Sequence, residues 1–212
     1  MTKNYGWQRK MKEQKYLYVI FSRTDTSIGK IIRIATHHEY NHVSLSFCPS
    51  LCKMFSFARY RKNSPLVGGF VVERPSRYLY PDKDINVKIC RLPIEDEEYE
   101  MLKMRMTRFC LEGKKMRYNS IGALFVPLGI DVEVSDTYTC LSFAAESLGL
   151  KVDSIKELED ILEKYTVHVG SLREYVGEYA LRSLDYFDPV SLSDTLCDTA
   201  KHFGTLIKRL LD

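Results

Sequence analysis

Two residues far apart in this chain, His42 and Cys140, have the local setting of a base and a nucleophile. Cys140 opens a predicted helix, Tyr138-Thr139-Cys140-Leu141-Ser142-Phe143-Ala144-Ala145-Glu146, after the polar stretch Asp136-Thr137-Tyr138-Thr139. Free backbone N–H groups and the positive end of the helix dipole favour thiolate over thiol there. Leu141, Phe143, Ala144 and Leu148 can supply the core contact of that helix without the cysteine. His42 heads the predicted strand Asn41-His42-Val43-Ser44-Leu45-Ser46-Phe47, whose ladder would hold the ring as a proton acceptor. Val43, Leu45 and Phe47 alternate with His42, Ser44 and Ser46, so the histidine-bearing face is small and leaves room for another element. A base must come within about 3 Å of the sulfur it serves. The competing readings are a cysteine packed in the core and a strand-edge histidine satisfied by hydrogen bonds.

A third group should orient the imidazole. Ser56, between apolar neighbours in Met54-Phe55-Ser56-Phe57-Ala58-Arg59, reaches the ring if its strand pairs alongside His42. Glu73, ending Gly68-Gly69-Phe70-Val71-Val72-Glu73, is the stronger electrostatic partner but lies farther along the chain, and Ser56 is preferred. Tyr138, Arg59 and Glu73 are the candidates for substrate contact.

The order matters: a His42-Val43-Ser44-Leu45 strand, a polar residue on the next strand, then a late Thr139-Cys140-Leu141-Ser142-Phe143-Ala144 helix. That order resembles the circularly permuted branch of the bacterial NlpC/P60 papain-like superfamily, including the YiiX/YaeF-type proteins and, more distantly, the lecithin retinol acyltransferase group. The resemblance covers roughly Lys15 to Leu150. It implies Cys140 as nucleophile, His42 as base and Ser56 as the polar third residue, where relatives carry His, an acid or an amide. It further implies attack on an amide, ester or thioester carbonyl through a thioester intermediate: a cysteine hydrolase (thiol protease or amidase type) or acyltransferase on a peptide or a lipid acyl substrate. The sulfur itself carries the acyl group, so no cofactor is implied. A catalytically inactive binding module of the same fold is the alternative.

The elements that must position this pair read as α+β. Strands are predicted at Lys15 to Ser22, His42 to Phe47, Lys53 to Arg59, Gly69 to Arg74 and Asn86 to Arg91. Helices are predicted after Asp25-Thr26-Ser27, from Pro93–Asp96 through about Leu111, over Asn119 to Leu128, from Cys140 to Gly149, over Ser154 to Lys164 and over Leu192 to Leu211. The long helix should bury Tyr99, Leu102, Met106, Phe109 and Cys110, and the last should put Leu192, Leu196, Phe203, Leu206, Ile207 and Leu210 on one side. Val167-His168-Val169 and Tyr179 to Phe187 are strand-like. The organisation is a basic arm at 1–14, a papain-like domain at 15–189 whose antiparallel sheet packs against helices, and a C-terminal amphipathic helix at 190–212.

With 45% hydrophobic and 28% charged residues the chain is of ordinary globular composition, and a net charge of +3 gives no argument for nucleic acid. No apolar run approaches the roughly 18 residues that span a bilayer, and the polar start lacks a signal core, so a cytoplasmic protein is expected. His37, His38, His42, Cys48 and Cys52 have His-x3-His and Cys-x3-Cys spacings that zinc could use, but a strand separates the two pairs and no metal is assigned. Peripheral membrane contact through the last helix, with Lys201, Lys208 and Arg209, is the lesser reading beside packing on its own domain.

Overall fold

The run Lys15–Ser22 is rich in aromatic and β-branched residues, which suit a strand buried on both faces, and it forms the central strand β1. The computed structural model describes residues 13–25, 27–62, 64, 66–79, 82–112, 117–120, 122, 134–177 and 191–211. On either side β1 pairs antiparallel with β2 (His42–Ser46) and β5 (Asn86–Ile94). With β3 (Met54–Arg59), β4 (Gly68–Glu73), β6 (Arg117–Tyr118), β7 (Thr137–Tyr138) and β8 (Thr166–Ser171), they make one eight-stranded sheet in the order β7-β6-β4-β3-β2-β1-β5-β8. The protein is α+β. Its sheet is mixed rather than wholly antiparallel, because β6 and β7 run parallel. At the start of β4 a Cβ on Gly68 would sit 2.3 Å from the Ala58 carbonyl oxygen, so the β3–β4 approach admits only glycine.

Each face of the sheet is covered. Leu17, Val19, Phe21, Val43, Leu45, Phe57 and Phe70 pack against α3 (Asp96–Glu112), α4 (Cys140–Ser147) and α5 (Ile155–Leu162) through Leu102, Met106, Phe109, Phe143, Ala144, Leu158 and Leu162. Aromatic rings join this layer: Phe143 lies 5.4 Å from Phe57 and 5.8 Å from Phe109, centroid to centroid. Tyr18, Ile20, Met54, Val87 and Ile89 form the second layer with Leu51, with Leu79 of α2 (Ser76–Leu79) and with Leu172 of α6 (Leu172–Val176). Alternation along β5 is thereby resolved: Val87 and Ile89 face the second layer, while Cys90 belongs to the first.

Lys88 shares the Cys90 side of β5 and is buried, so its ammonium needs anions. It binds Glu159 of α5 at 2.8 Å and also Glu163. His38, which follows α1 (Ser27–Thr36), meets the other oxygen of Glu159 at 3.1 Å. These contacts tie α5 to the sheet.

The long helix holds over Asp96–Glu112 with its acidic residues in the first turn, where the dipole favours them. Cys110 departs from the expected stripe and is exposed. The C-terminal helix α7 (Leu192–Leu211) docks through Leu206 and His202, both fully buried, while Leu192 and Leu196 remain 84% and 70% exposed. The single apolar side expected for α7 is thus only partly covered. Among the described residues no helix is long and apolar enough to cross a membrane. Most of the 1–14 arm, most of the helix expected over Asn119 to Leu128, and the strand-like Tyr179 to Phe187 lie outside the described residues.

The aromatic layer under α4 gives a test of the packing. Phe143→Ala should cost about 3–5 kcal/mol by leaving a cavity among four other rings. Leu111→Ala, at an exposed helix position, should change stability by no more than about 0.5 kcal/mol. Urea unfolding of the two variants beside the parent checks both values.

Candidate active site

Thr139 fixes where α4 begins. Its hydroxyl accepts the Ser142 backbone N–H at 3.0 Å, and the Ser142 hydroxyl accepts the Thr139 N–H at 2.9 Å, a reciprocal capping box. Cys140 therefore occupies the first helical position, its own N–H outside the intrahelical ladder. The helix packs across β2 and β3, which brings the sulfur to the first residue of β2. The Cys140 thiol lies beside the His42 imidazole and the Val43 backbone N–H, close enough for both to act on its ionisation. Burial opposes its ionisation, but the bond to His42, the charge of that ring and the Val43 N–H outweigh burial and lower the thiol.

His42 also takes a carboxylate: its Nε2 lies 3.1 Å from Glu73 Oε2. One in-plane partner per ring nitrogen leaves Nδ1 for the sulfur. Burial works against the imidazolium, yet the Glu73 charge and the bonds to Cys140 and Glu73 raise His42 to about 10. Glu73 is fully buried. Burial alone would raise its carboxyl, but His42, Arg77 at 3.4 Å and a hydrogen bond with Tyr78 hold it at about 2. These shifts all act in the direction of a thiolate–imidazolium pair backed by an ionised carboxylate.

The side chain placed on the His42 ring is Glu73, not Ser56 as expected. Extending the Leu45–Phe55 pairing puts Ser56 across from Ser44 and Ala58 across from His42. The Ser56 hydroxyl is buried with no hydrogen-bond partner, so it does not orient the ring. The three residues expected to contact substrate each have a partner within the protein. Glu73 is behind the histidine rather than in the cleft. Tyr138 stacks in the aromatic layer, 4.8 Å from Phe57, with its hydroxyl on Glu146. Arg59 hydrogen-bonds the Lys62 carbonyl at 3.2 Å.

Beside the sulfur opens a cleft of about 540 Å³. One wall is the loop after α1 (His38, Tyr40, Asn41), another is α4 through Cys140 and Leu141, and α5 with its approach supplies Asp153, Ile155, Glu157, Asp160 and Ile161. Tyr118 of β6 completes the wall, and nothing in the spacing of the sequence marks it, since its strand has only two residues. Its phenol is pushed up by burial first and by the Cys140 charge second, so it stays protonated beside the sulfur. Tyr118 is itself held by α7: Arg117 donates to His202 Nδ1 at 3.2 Å, and His202 Nε2 donates to the Tyr118 carbonyl at 3.1 Å.

The zinc-type spacings do not assemble a centre. His38 is on Glu159 and His42 on Glu73, while Cys48 and Cys52 lie beyond the opposite end of β2. Among the described residues no group of three or more His, Cys, Asp and Glu side chains is placed to hold a metal ion.

No protein-family model, no curated protein and no solved structure matches this chain.

Proposed function

We propose that the protein is a cysteine hydrolase or acyltransferase of the permuted papain-like type, acting on an amide, ester or thioester. One observation carries this reading: a single imidazole bridges a helix-terminal sulfur and a buried carboxylate at the edge of an open cleft. A buried carboxylate that raises a histidine lying beside a thiol at a cleft is the kind of pKa tuning that active sites use.

The chemistry follows from the groups in hand. The Cys140 thiolate attacks the carbonyl carbon, and the electron pair of the C=O bond moves to oxygen. The free N–H of Cys140 and the Tyr118 hydroxyl are the donors to that oxyanion. Imidazolium His42 gives its proton to the departing amine, alcohol or thiol as the carbonyl re-forms, leaving an acyl thioester on Cys140. Neutral His42 then takes a proton from water or an acceptor, which attacks the thioester and releases the thiolate. Glu73 holds the ring in one orientation throughout and stabilises each return to imidazolium.

The cleft lining favours a polar substrate over a bare hydrocarbon chain. Tyr40, Leu141, Ile155 and Ile161 are interspersed with Asn41, Asp153, Glu157 and Asp160, and Lys156 is paired with Asp160 at 2.9 Å. An amide substrate bearing an amine near the scissile bond fits that charge, so peptide-like compounds are preferred to acyl lipids.

Iodoacetamide at limiting concentration should label Cys140 in a His42-dependent manner. Peptide mapping should find labelling at neutral pH reduced about tenfold or more by His42→Ala, with exposed Cys110 and Cys197 as internal references. Equal labelling of the two proteins would favour a binding module.

A second set of variants separates the two candidate orienting groups. Glu73→Gln removes the charge that raises His42, so the alkaline limb of the labelling profile should move down from about 10 toward the ordinary histidine range near 6.5. Its acyl-transfer rate on an amine-bearing peptide ester should fall about a hundredfold. Ser56→Ala should keep the profile and gain about 1 kcal/mol, since it removes a buried hydroxyl with no partner. An unchanged profile in Glu73→Gln would remove the carboxylate from the mechanism.

A further inference from the structure

The hairpin between β2 and β3 holds two cysteines that the proposed acyl chemistry does not use. The Sγ atoms of Cys48 and Cys52 are 3.1 Å apart, with Cys52 as the donor, and the Ser50 hydroxyl is 3.1 Å from Cys48 Sγ. This closeness is imposed by the loop. The Ser46 hydroxyl accepts the Cys48 N–H at 3.1 Å and bonds the Lys53 carbonyl at 2.8 Å, tying both ends of the segment. Leu51 N–H closes a turn on the Cys48 carbonyl at 3.0 Å. Leu51 itself sits at φ 54° with its side chain fully buried in the second core layer. A β-branched-free but non-glycine residue in that region is costly, so its anchored side chain fixes the turn and with it the Cys48–Cys52 spacing.

We infer that Cys48 and Cys52 form a dithiol site that exchanges with low-molecular-weight disulfides and closes reversibly to an intramolecular disulfide. The sulfurs need to approach by only about 1 Å to reach bonding distance. In the first step the Cys48 thiolate attacks one sulfur of R–S–S–R; that S–S bond breaks and R–S⁻ leaves, taking up the proton Cys48 has lost. In the second step Cys52, deprotonated, attacks the Cys48 sulfur of the mixed disulfide and expels a second R–S⁻, which is protonated in turn. Two protein thiols are oxidised by two electrons and one R–S–S–R is reduced to two R–SH.

The assignment of attacking and resolving sulfur follows from the hydrogen bonds. Burial opposes ionisation of Cys48, but the Ser50 hydroxyl, the Cys52 thiol and the two backbone N–H groups outweigh it and lower Cys48 to about 7. Cys52 is raised, first because its proton is donated to Cys48 and second by burial. Cys110 is raised by burial, against the charge of Lys53. Both cysteines of the hairpin are half-buried, open to a small reagent.

Reduced protein is incubated with glutathione disulfide, quenched with N-ethylmaleimide and digested with trypsin. The peptide 34–53, which contains both cysteines, should lose two hydrogens and carry no maleimide. In Cys52→Ser the same peptide should retain one glutathione on Cys48. A peptide 34–53 that carries two maleimides, or a wild-type mixed disulfide that never closes, overturns the proposal. Alkylation rates on the unmodified wild type supply a test that needs no variant. At pH 7 Cys48 should react about five- to tenfold faster than Cys110, the gain in thiolate fraction exceeding the loss in intrinsic nucleophilicity. Equal or slower reaction of Cys48 also overturns it.

Discussion

The constraint on which the rest depends is the buried charge of Glu73. Taking a carboxylate out of water costs several kcal/mol even after the protein relaxes, and only close cations offset that cost. Two are supplied. Arg77, four residues on in the short helix α2, lies beside one oxygen, and His42, two strands away, lies beside the other. The imidazolium so required is itself buried and takes Cys140 as its second anion. Arg77, Glu73 and His42 thus alternate in sign along one chain of contacts that ends at Cys140. Removing Glu73 or His42 would strand a buried charge, and the same neighbours that settle that charge lower the Cys140 thiol.

That arrangement has a pH signature with two sides. Glu73 is depressed on folding, so its contribution is present above about 4.5 and is lost as the pH falls toward 2. His42 is raised on folding, so its contribution is present below 6.5 and is lost as the pH rises toward 10. Both describe one interaction seen from its two partners, and their stabilisation is counted once. A parallel device positions the far wall of the cleft, where buried Lys88 recruits Glu159 and Glu163 and so seats α5 on the sheet. In both places a polar group in an apolar layer dictates which element must come to it.

Much of this was legible before any coordinates. Strand β1 follows its aromatic and β-branched run, β2 its period-two alternation, and β3 and β4 the turn residues around them; α3 and α5 follow apolar stripes and acidic first turns, and Cys140 is marked by the polar run before its helix. His42 is marked by its strand. Glu73 was seen as an electrostatic candidate but ranked behind Ser56, because strand pairing predicts nearest neighbours and Glu73 reaches the histidine from two strands away. Tyr118 left no signal at all: a two-residue strand has no period, and its position depends on His202, far along the chain in α7. Cys110 sits one residue past Phe109 and turns outward because a helix of period 3.6 moves successive residues by about 100°. The Cys48-x3-Cys52 spacing suits a metal pair and a dithiol alike, since spacing alone cannot say whether a loop will bring two sulfurs together or spread them for a metal.

The two activated sulfurs differ in how they are activated, and that difference is physical rather than nominal. Cys140 is lowered chiefly through a charged partner in a buried setting, where salt screens little. Cys48 is lowered through neutral donors in a half-buried hairpin. In the proposed acyl transfer, conversion of Cys140 to a thioester would remove its charge, leaving His42 and Glu73 as the coupled pair and the ring as the acid and base of the second half-reaction. Conversion of Cys48 to a disulfide leaves that chain untouched and exchanges one loop closure for another, the hydrogen-bonded turn for a covalent one. Strand β2 separates the two chemistries, with His42 at one end and Ser46 anchoring the hairpin at the other. A rigid strand between them therefore holds the sulfur proposed for acyl transfer and the pair proposed for disulfide exchange at opposite ends, so that neither reaches the other.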